Sequence, residues 1–230
     1  MFILLLAVGF FLAIHLLVSG TPVRNALTAR IGQNAYMGLF SLASVAGLAW
    51  LIFAYGAARQ AQSNDVLWTV TPLTRWVQIV IQLAAMLLIV PGLTTPNPTS
   101  VRQEATLKKV DVVKGMLRIT RHPFLWGVAL WALGHLLVHG DMAGIVLFAS
   151  MLALALFGTV SIDAKRRRAL GKSWDAFAAQ TSNVPFAAIA TGRQQLDIAE
   201  IGWWRIALGV GVWAILAWAH PYLIGVRALP

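Results

Sequence analysis

Apolar residues fall into six runs separated by polar stretches, near Phe2–Val18, Tyr36–Ala58, Leu73–Leu93, Pro123–Val138, Met142–Val160 and Trp203–Ile224. A helix needs about 17 to 25 apolar residues to cross the hydrocarbon core of a bilayer, and the runs match that length. The pattern predicts an all-α polytopic membrane bundle of about six helices, forming a single domain over residues 1–230. The fourth run is the shortest, and with the fifth it makes a tight helical hairpin turning at His139-Gly140-Asp141. Pro91 to Pro98 is rich in Thr, Pro and Asn and reads as a loop. Ser161–Gln180 alternates basic residues with Leu170, Trp174 and Phe177 at helical spacing. That pattern predicts an amphipathic helix lying in the headgroup region on the cytoplasmic side. Within it, Lys165–Arg168 reads as a contact to lipid phosphates or as an anion site for a cofactor.

Composition agrees with the spans. With 59% hydrophobic and 11% charged residues in 230, there is too little polar surface to cover a soluble core. A formal charge of +10 invites a nucleic-acid partner, but the bases are confined to a few loops between apolar runs. The positive-inside rule produces that distribution, and nucleic-acid binding is set aside. The bilayer is the partner that the composition implies. Three alternate loops, with Arg205 just inside the last span, hold fifteen of the Lys and Arg residues. Arg59, Arg75 and Arg227 are the three on the other side. The split makes the base-rich face cytoplasmic and puts both termini outside the cytoplasm, as a multi-pass inner-membrane protein. Met1–Leu17 has no basic residue before its apolar stretch, and Ser19–Arg24 is a weak cleavage signal, so this stretch reads as a retained first span. Trp203 and Trp204 at one end of the last span, and Trp218 and Tyr222 at the other, fit interfacial aromatic belts.

Without cysteine the chain has no disulfide, thiolate nucleophile or Cys-ligated metal or haem. Gly171-Lys172-Ser173 mimics the end of a phosphate-binding loop, but Arg166 stands where its earlier glycine belongs and no strand precedes it. No Ser/His/Asp signature or carboxylate pair is present, and no catalytic residue is assigned. Asp163 is the one acid placed to meet a cofactor.

Ionisable groups within membrane spans are costly and therefore candidates for function. All five histidines, His15, His122, His135, His139 and His220, lie in or at the ends of spans. His15 is near the cytoplasmic end of the first span. His122 precedes Pro123 and is placed as the N-cap of the fourth. His135 is about 20 Å deeper at 1.5 Å per residue. One iron can therefore be held by His15 and His122 if the first and fourth helices pack together, but not by His122 and His135. Imidazole is a common ligand of haem iron. Arg24, Arg118 and Arg121 lie at the same level and would pair with haem propionates, or serve topology alone. His135, His139 and His220 form an outer trio, read either as a second metal or haem site or as a packed helix face with polar ends. Gln78 and Gln82, one turn apart, are placed to bond across helices.

The stretch Arg118-Ile119-Thr120-Arg121-His122-Pro123-Phe124-Leu125-Trp126-Gly127, with Trp131 and Gly134-His135, resembles the NnrU family of bacterial membrane proteins. His15-Leu16, Gly20-Thr21, Arg24 and the stretch holding Gly32, Tyr36 and Gly38 extend the similarity along the chain. That family takes its name from denitrification gene clusters and includes the 15-cis-ζ-carotene isomerases, which carry haem b. The resemblance implies haem b ligated by His15 and His122, with His135 as a further candidate from the fourth helix. It also implies redox or cis–trans isomerase chemistry on a hydrophobic substrate. The cysteine of the isomerases has no counterpart here.

The same stretch is similar to the isoprenylcysteine and phospholipid methyltransferases. Their S-adenosylmethionine site is matched here by Arg121-His122-Pro123, Asp163, Gly171, Trp174, Phe177 and Val184-Pro185. Ile162 replaces one acid of their pair, and Trp174 and Phe177 replace their tyrosines. This resemblance implies a methyltransferase as the rival enzyme class. A third class is a non-enzymatic denitrification or respiratory accessory protein.

Overall fold

The computed structural model describes residues 1–108 and 111–229; Lys109, counted among the basic residues above, and Pro230 lie outside them. Helix α1 (Phe2–Ala13) runs into a π-helical turn at Ile14–Val18, and an 80° bend separates this unit from α2 (Val23–Ile31). Then follow α3 (Gln33–Arg59), α4 (Pro72–Thr94), α5 (Met116–Ile119), α6 (Pro123–Val138) and α7 (Met142–Leu170). The chain closes with α8 (Lys172–Gln180), α9 (Ala187–Ala190), α10 (Ile198–Ile201) and α11 (Trp203–Ile224). Among the described residues the only β pairing is an isolated bridge between Val66 and Asp141.

All six apolar runs are helical. Four helices, α3, α4, α7 and α11, are each long and apolar enough to cross a membrane, and the bent pair of α1 and α2 makes a fifth. Helix α6 is shorter at 16 residues, about 24 Å at 1.5 Å per residue. The helix starts follow from local chemistry. Pro72 opens α4 behind a reciprocal Thr71–Thr74 capping box, and the Asp141 carboxylate accepts from the Gly144 N–H at 2.9 Å to open α7. The predicted hairpin at His139-Gly140-Asp141 is present between α6 and α7.

The most extensive packing joins α4 to α6, then α6 to α7 and α4 to α11. Helix α1 docks on α3 and α7. Gly127 permits the α4–α6 approach, since a Cβ there would lie 2.9 Å from the Ala85 carbonyl oxygen and 3.0 Å from the Ile89 nitrogen. Leu4, Ala7, Leu51, Ala54, Ala132 and Ala143 are buried together where α1, α3, α6 and α7 meet. Phe53, Leu73, Val80, Phe157 and Ile215 face outward, which suits a surface in contact with lipid. Trp203, Trp204, Trp218 and Tyr222 are also exposed, at opposite ends of α11.

Three expectations change. Residues Pro91–Thr94 are the last turn of α4 rather than loop. Gly92 lies against Pro123 and Phe124, and the Thr94 hydroxyl bonds back to the Val90 carbonyl at 2.9 Å, so packing carries the helix through the proline. Helix α7 continues ten residues beyond Val160, and the amphipathic segment splits at Gly171, whose φ of +51° ends α7 and begins α8. The apolar side of α8 faces protein: Trp174 and Phe177 are buried with Leu117, Val112, Val113 and Leu170. Finally, three of the four bases in Lys165–Arg168 are spent on the protein. Lys165 binds the Ser19 carbonyl, Arg166 binds Glu104 and the Ser100 carbonyl, and Arg167 pairs with Asp175. These three are latches between segments, while Arg168 is exposed.

Candidate functional site

The polar centre of the molecule lies where α6 begins, opposite the last third of α7. Pro123 fixes the first turn of α6, and Arg121 and His122 lie on the non-helical backbone between extended Thr120 and that turn. Thr120, fully buried, holds that backbone. Its hydroxyl donates to the Asn183 carbonyl at 2.5 Å and accepts from the His122 N–H at 3.1 Å. The Arg121 carbonyl accepts from Asn97 at 3.0 Å and Thr99 at 3.1 Å, tying in the segment after α4. His122 occupies the N-cap position, but its side chain makes no cap. It turns instead to Asp163, Nε2 to Oδ1 at 2.7 Å, and the residue is only 2% exposed.

Asp163 is the hub. Arg121 grips it through Nε at 3.0 Å and Nη2 at 2.5 Å, and Asn183 approaches at 3.5 Å. Trp126 donates its indole N–H to Asn183 at 3.3 Å. With both oxygens accepting, the carboxylate is satisfied by its own chain. Three of the residues of the methyltransferase resemblance, Arg121, His122 and Asp163, thus meet in space. A second ion pair braces the same face. Arg118 donates to Glu200 through Nε at 2.6 Å and Nη2 at 2.9 Å, and to Gln194 through Nη1 at 2.8 Å. That hydrogen bond, with another from the Gly115 N–H, holds the Glu200 carboxyl down to about 2. Arg118 and Arg121 therefore spend their guanidinium groups on Glu200, Gln194 and Asp163, which leaves Arg24 as the candidate for a propionate partner.

His15 lies in the π turn, a local widening of the helix that recurs at functional sites. Its Nδ1 is 2.8 Å from the Phe11 carbonyl, and its ring packs against Phe11 and Phe40 with centroids 4.3 and 5.2 Å away. The Nδ1–H bond to a carbonyl fixes the tautomer and leaves Nε2 as the basic nitrogen. Beside it opens an apolar crevice of about 210 Å³, lined by Ile14, Val18, Leu27, Ile31, Tyr36 and Phe40. The Tyr36 hydroxyl is buried with no hydrogen-bond partner among the described residues, and Arg24 lies over the Tyr36 ring at 5.8 Å.

The segments that carry the two histidines meet α7 at different points. Asp163, which takes His122, and Lys165, which latches the π turn through Ser19, are two residues apart and so about 200° around the helix. The first helix packs on α3 and α7, and α6 on α4 and α7, so the direct packing of the first span on the fourth, on which a shared iron was made to depend, is not among the extensive helix contacts. Among the described residues no group of three or more His, Asp or Glu side chains is placed to hold a metal ion. A haem iron takes at most two protein ligands, so the donor chemistry of each histidine is the relevant test. His15 offers Nε2. His122 offers Nδ1, with Nε2 held by a carboxylate, as metal-bound histidines commonly are. Both donor sets suit iron.

His135 is separate from this end. Its Nδ1 lies 2.8 Å from the Trp131 carbonyl and 3.2 Å from the Gln82 amide, the predicted bond from α4 to α6. Its ring stacks on Phe148 and His139, with centroids 4.8 and 6.0 Å away. His220 bonds the Val226 carbonyl, so of the outer trio His135 and His139 pack against each other, and among the described residues the three are not placed to hold a metal ion. Asn183, Thr120, Asn97 and Glu200 were not singled out from sequence. Only Asn183 had a signal, its place directly before Val184-Pro185.

The sequence profile described as NnrU protein matches residues 3–228. The chloroplastic 15-cis-zeta-carotene isomerase of Zea mays is 35% identical over 82 residues, 36% of this chain and 22% of that protein. The chloroplastic 15-cis-zeta-carotene isomerase of Arabidopsis thaliana is 33% identical over 118 residues, 48% of this chain and 31% of that protein. The matched segment spans less than a third of either relative. No solved structure matches the chain.

Proposed function

Since the chain belongs to the NnrU protein family, we propose that it is an inner-membrane haem b protein that acts on a hydrophobic substrate by redox or cis–trans isomerase chemistry. The observation that carries the reading is His15, held in a π turn by the Phe11 carbonyl beside an apolar crevice. Similarity to two 15-cis-zeta-carotene isomerases supports the isomerase class. Bound haem would supply a redox-active iron, which imidazole nitrogens commonly hold. His15 through Nε2 and His122 through Nδ1 are the proposed ligands. Asp163 and Arg121 orient the His122 ring and keep its Nε2 occupied. The crevice, at about 210 Å³, is below the roughly 300–1,000 Å³ of a complete ligand pocket, so it would take one segment of a long apolar substrate. Tyr36 would offer that ligand a hydroxyl, and Arg24 a charge at the rim.

In this reading the face that holds His15, Arg121 and Asp163 is cytoplasmic, and both chain ends are on the other side. A reporter inserted near Gln194 is expected to read cytoplasmic and a carboxyl-terminal fusion non-cytoplasmic; the reverse at either position contradicts the orientation.

The convergence of Arg121, His122 and Asp163 favours S-adenosylmethionine as the second reading. An absorption spectrum of the detergent-purified protein separates the two. A Soret band supports haem, whereas a colourless preparation that binds S-adenosylmethionine supports the methyltransferase. Haem without any effect on an apolar polyene would point to the accessory role.

A further inference from the structure

The face that holds few bases gathers them. Arg59 ends α3, Arg75 lies in the first turns of α4, and Arg227 follows α11. These three are the Lys and Arg residues that the loop pattern assigns to that face. Arg59 and Arg75 line one cavity of about 400 Å³, and Arg227 adjoins Val226, another of its lining residues. His220 holds this last segment in place, its Nδ1 lying 2.6 Å from the Val226 carbonyl.

The countercharge is small. Asp141 lines the cavity, but one oxygen accepts from the Gly144 N–H and the other lies 3.8 Å from His139 Nδ1. Among the described residues neither Arg59 nor Arg75 makes a side-chain hydrogen bond or ion pair; Arg59 lies over the Tyr55 ring at 5.9 Å. His139 forms a firm wall, with the Tyr55 hydroxyl 3.3 Å from its Nδ1 and Phe148 packed against its ring. Apart from Thr69 and Gly140, the remaining lining is apolar, including Trp68, Val70, Val138 and Val226. Two guanidinium groups and apolar side chains line the same cavity, a combination that suits an anionic amphiphile.

We infer that this cavity binds the anionic head of an amphiphile, a phosphate or carboxylate borne on an apolar chain, between Arg59 and Arg75. Arginine forks match both kinds of oxyanion through paired N–H donors. The cavity volume lies within the range of small-molecule sites. Its position at the ends of apolar helices admits the apolar chain from the bilayer. The site is independent of iron and lies at the opposite end of α6 from His122.

The test uses the full chain in a neutral maltoside detergent, with dodecyl phosphate as probe and native mass spectrometry to count bound copies. One saturable copy is expected. Its affinity should fall by about tenfold in Arg59→Gln and in Arg75→Gln, the loss of one charged hydrogen-bonding partner, and by less in Arg75→Lys, which keeps the charge but not the fork. Arg75 is exposed, so Arg75→Gln carries the comparison if Arg59→Gln does not elute as the native species. Competition by phosphatidylglycerol but not phosphatidylcholine would identify a lipid headgroup as the source. Competition by a single-chain anion alone would identify a free amphiphile, and either result supports the site. Equal competition by dodecanol or by inorganic phosphate, or binding unchanged in both glutamine variants, overturns the inference.

Discussion

Removing the Asp163 carboxylate tests the architecture of the candidate site. Asp163→Ala leaves the Arg121 guanidinium, 13% exposed, and the His122 imidazole, 1% exposed, without their acceptor. Bonds to a charged partner contribute about 1.5–3 kcal/mol each, and three donors converge here. They share one carboxylate, so their contributions do not simply add. Breaking a buried pair by removing one member costs about 3–5 kcal/mol, because the other charge stays buried. We therefore expect Asp163→Ala to destabilise by about 3–5 kcal/mol. Asp163→Asn keeps one carbonyl acceptor for the His122 Nε2–H or for Arg121 and should cost less. Arg121→Leu combined with Asp163→Leu removes both charges and should cost less than Asp163→Ala alone. Reversible denaturation in mixed detergent micelles, monitored by tryptophan fluorescence, measures all three. If Asp163→Ala unfolds as the unchanged protein does, or the double variant is the worst, the pairing does not hold the site together.

Other expectations follow from packing and charge. Gly127→Ala places a methyl 2.9 Å from the Ala85 carbonyl and should destabilise by about 1–3 kcal/mol, whereas Gly38→Ala meets nothing within 4 Å and should be neutral or stabilising by up to about 1 kcal/mol. Equal effects on thermal unfolding would refute the close α4–α6 approach. Glu200 is held down to about 2 from an ordinary 4.5, so its pairing with Arg118 stabilises fully above 4.5 and is lost as pH falls from there toward 2. Glu200→Gln should flatten the stability profile in that window, and an unaltered acid limb counts against the pair. Trp174→Ala should cost about 3–5 kcal/mol, whereas Trp174→Phe should cost far less, because the indole N–H has no partner among the described residues. Protease cleavage within α8 should rise only in the alanine variant; no change there would mean that α8 is held by other contacts.

The helices were legible because long apolar runs leave little choice of structure, and even the turn at His139-Gly140-Asp141 was marked by its residues. Asp163 was legible as the one acid placed to meet a cofactor, through its place in the methyltransferase resemblance. The destinations of side chains were less so. Trp174 and Phe177 at helical spacing suit a lipid surface and a protein surface equally, and only the fold supplies Leu117 and Val113 to cover them. Lys165–Arg168 reads as a membrane-facing run, yet its partners, Ser19, Glu104 and Asp175, are brought in by other segments. The Arg118–Glu200 pair spans 82 positions and leaves no periodic trace. Pro91 was read as a breaker, but the tight packing of Gly92 on Pro123 outweighs the lost hydrogen bond.

The central claim, haem held at the His15 and His122 end, is tested most directly by the absorption spectra of three alanine variants purified alike in detergent. His15→Ala and His122→Ala should each lose the low-spin haem spectrum or the haem itself. His135→Ala should retain it, because thirteen residues of helix, about 20 Å, separate it from His122. A spectrum abolished by His135→Ala and spared by both other variants, or no Soret band in the unaltered protein, would contradict the account.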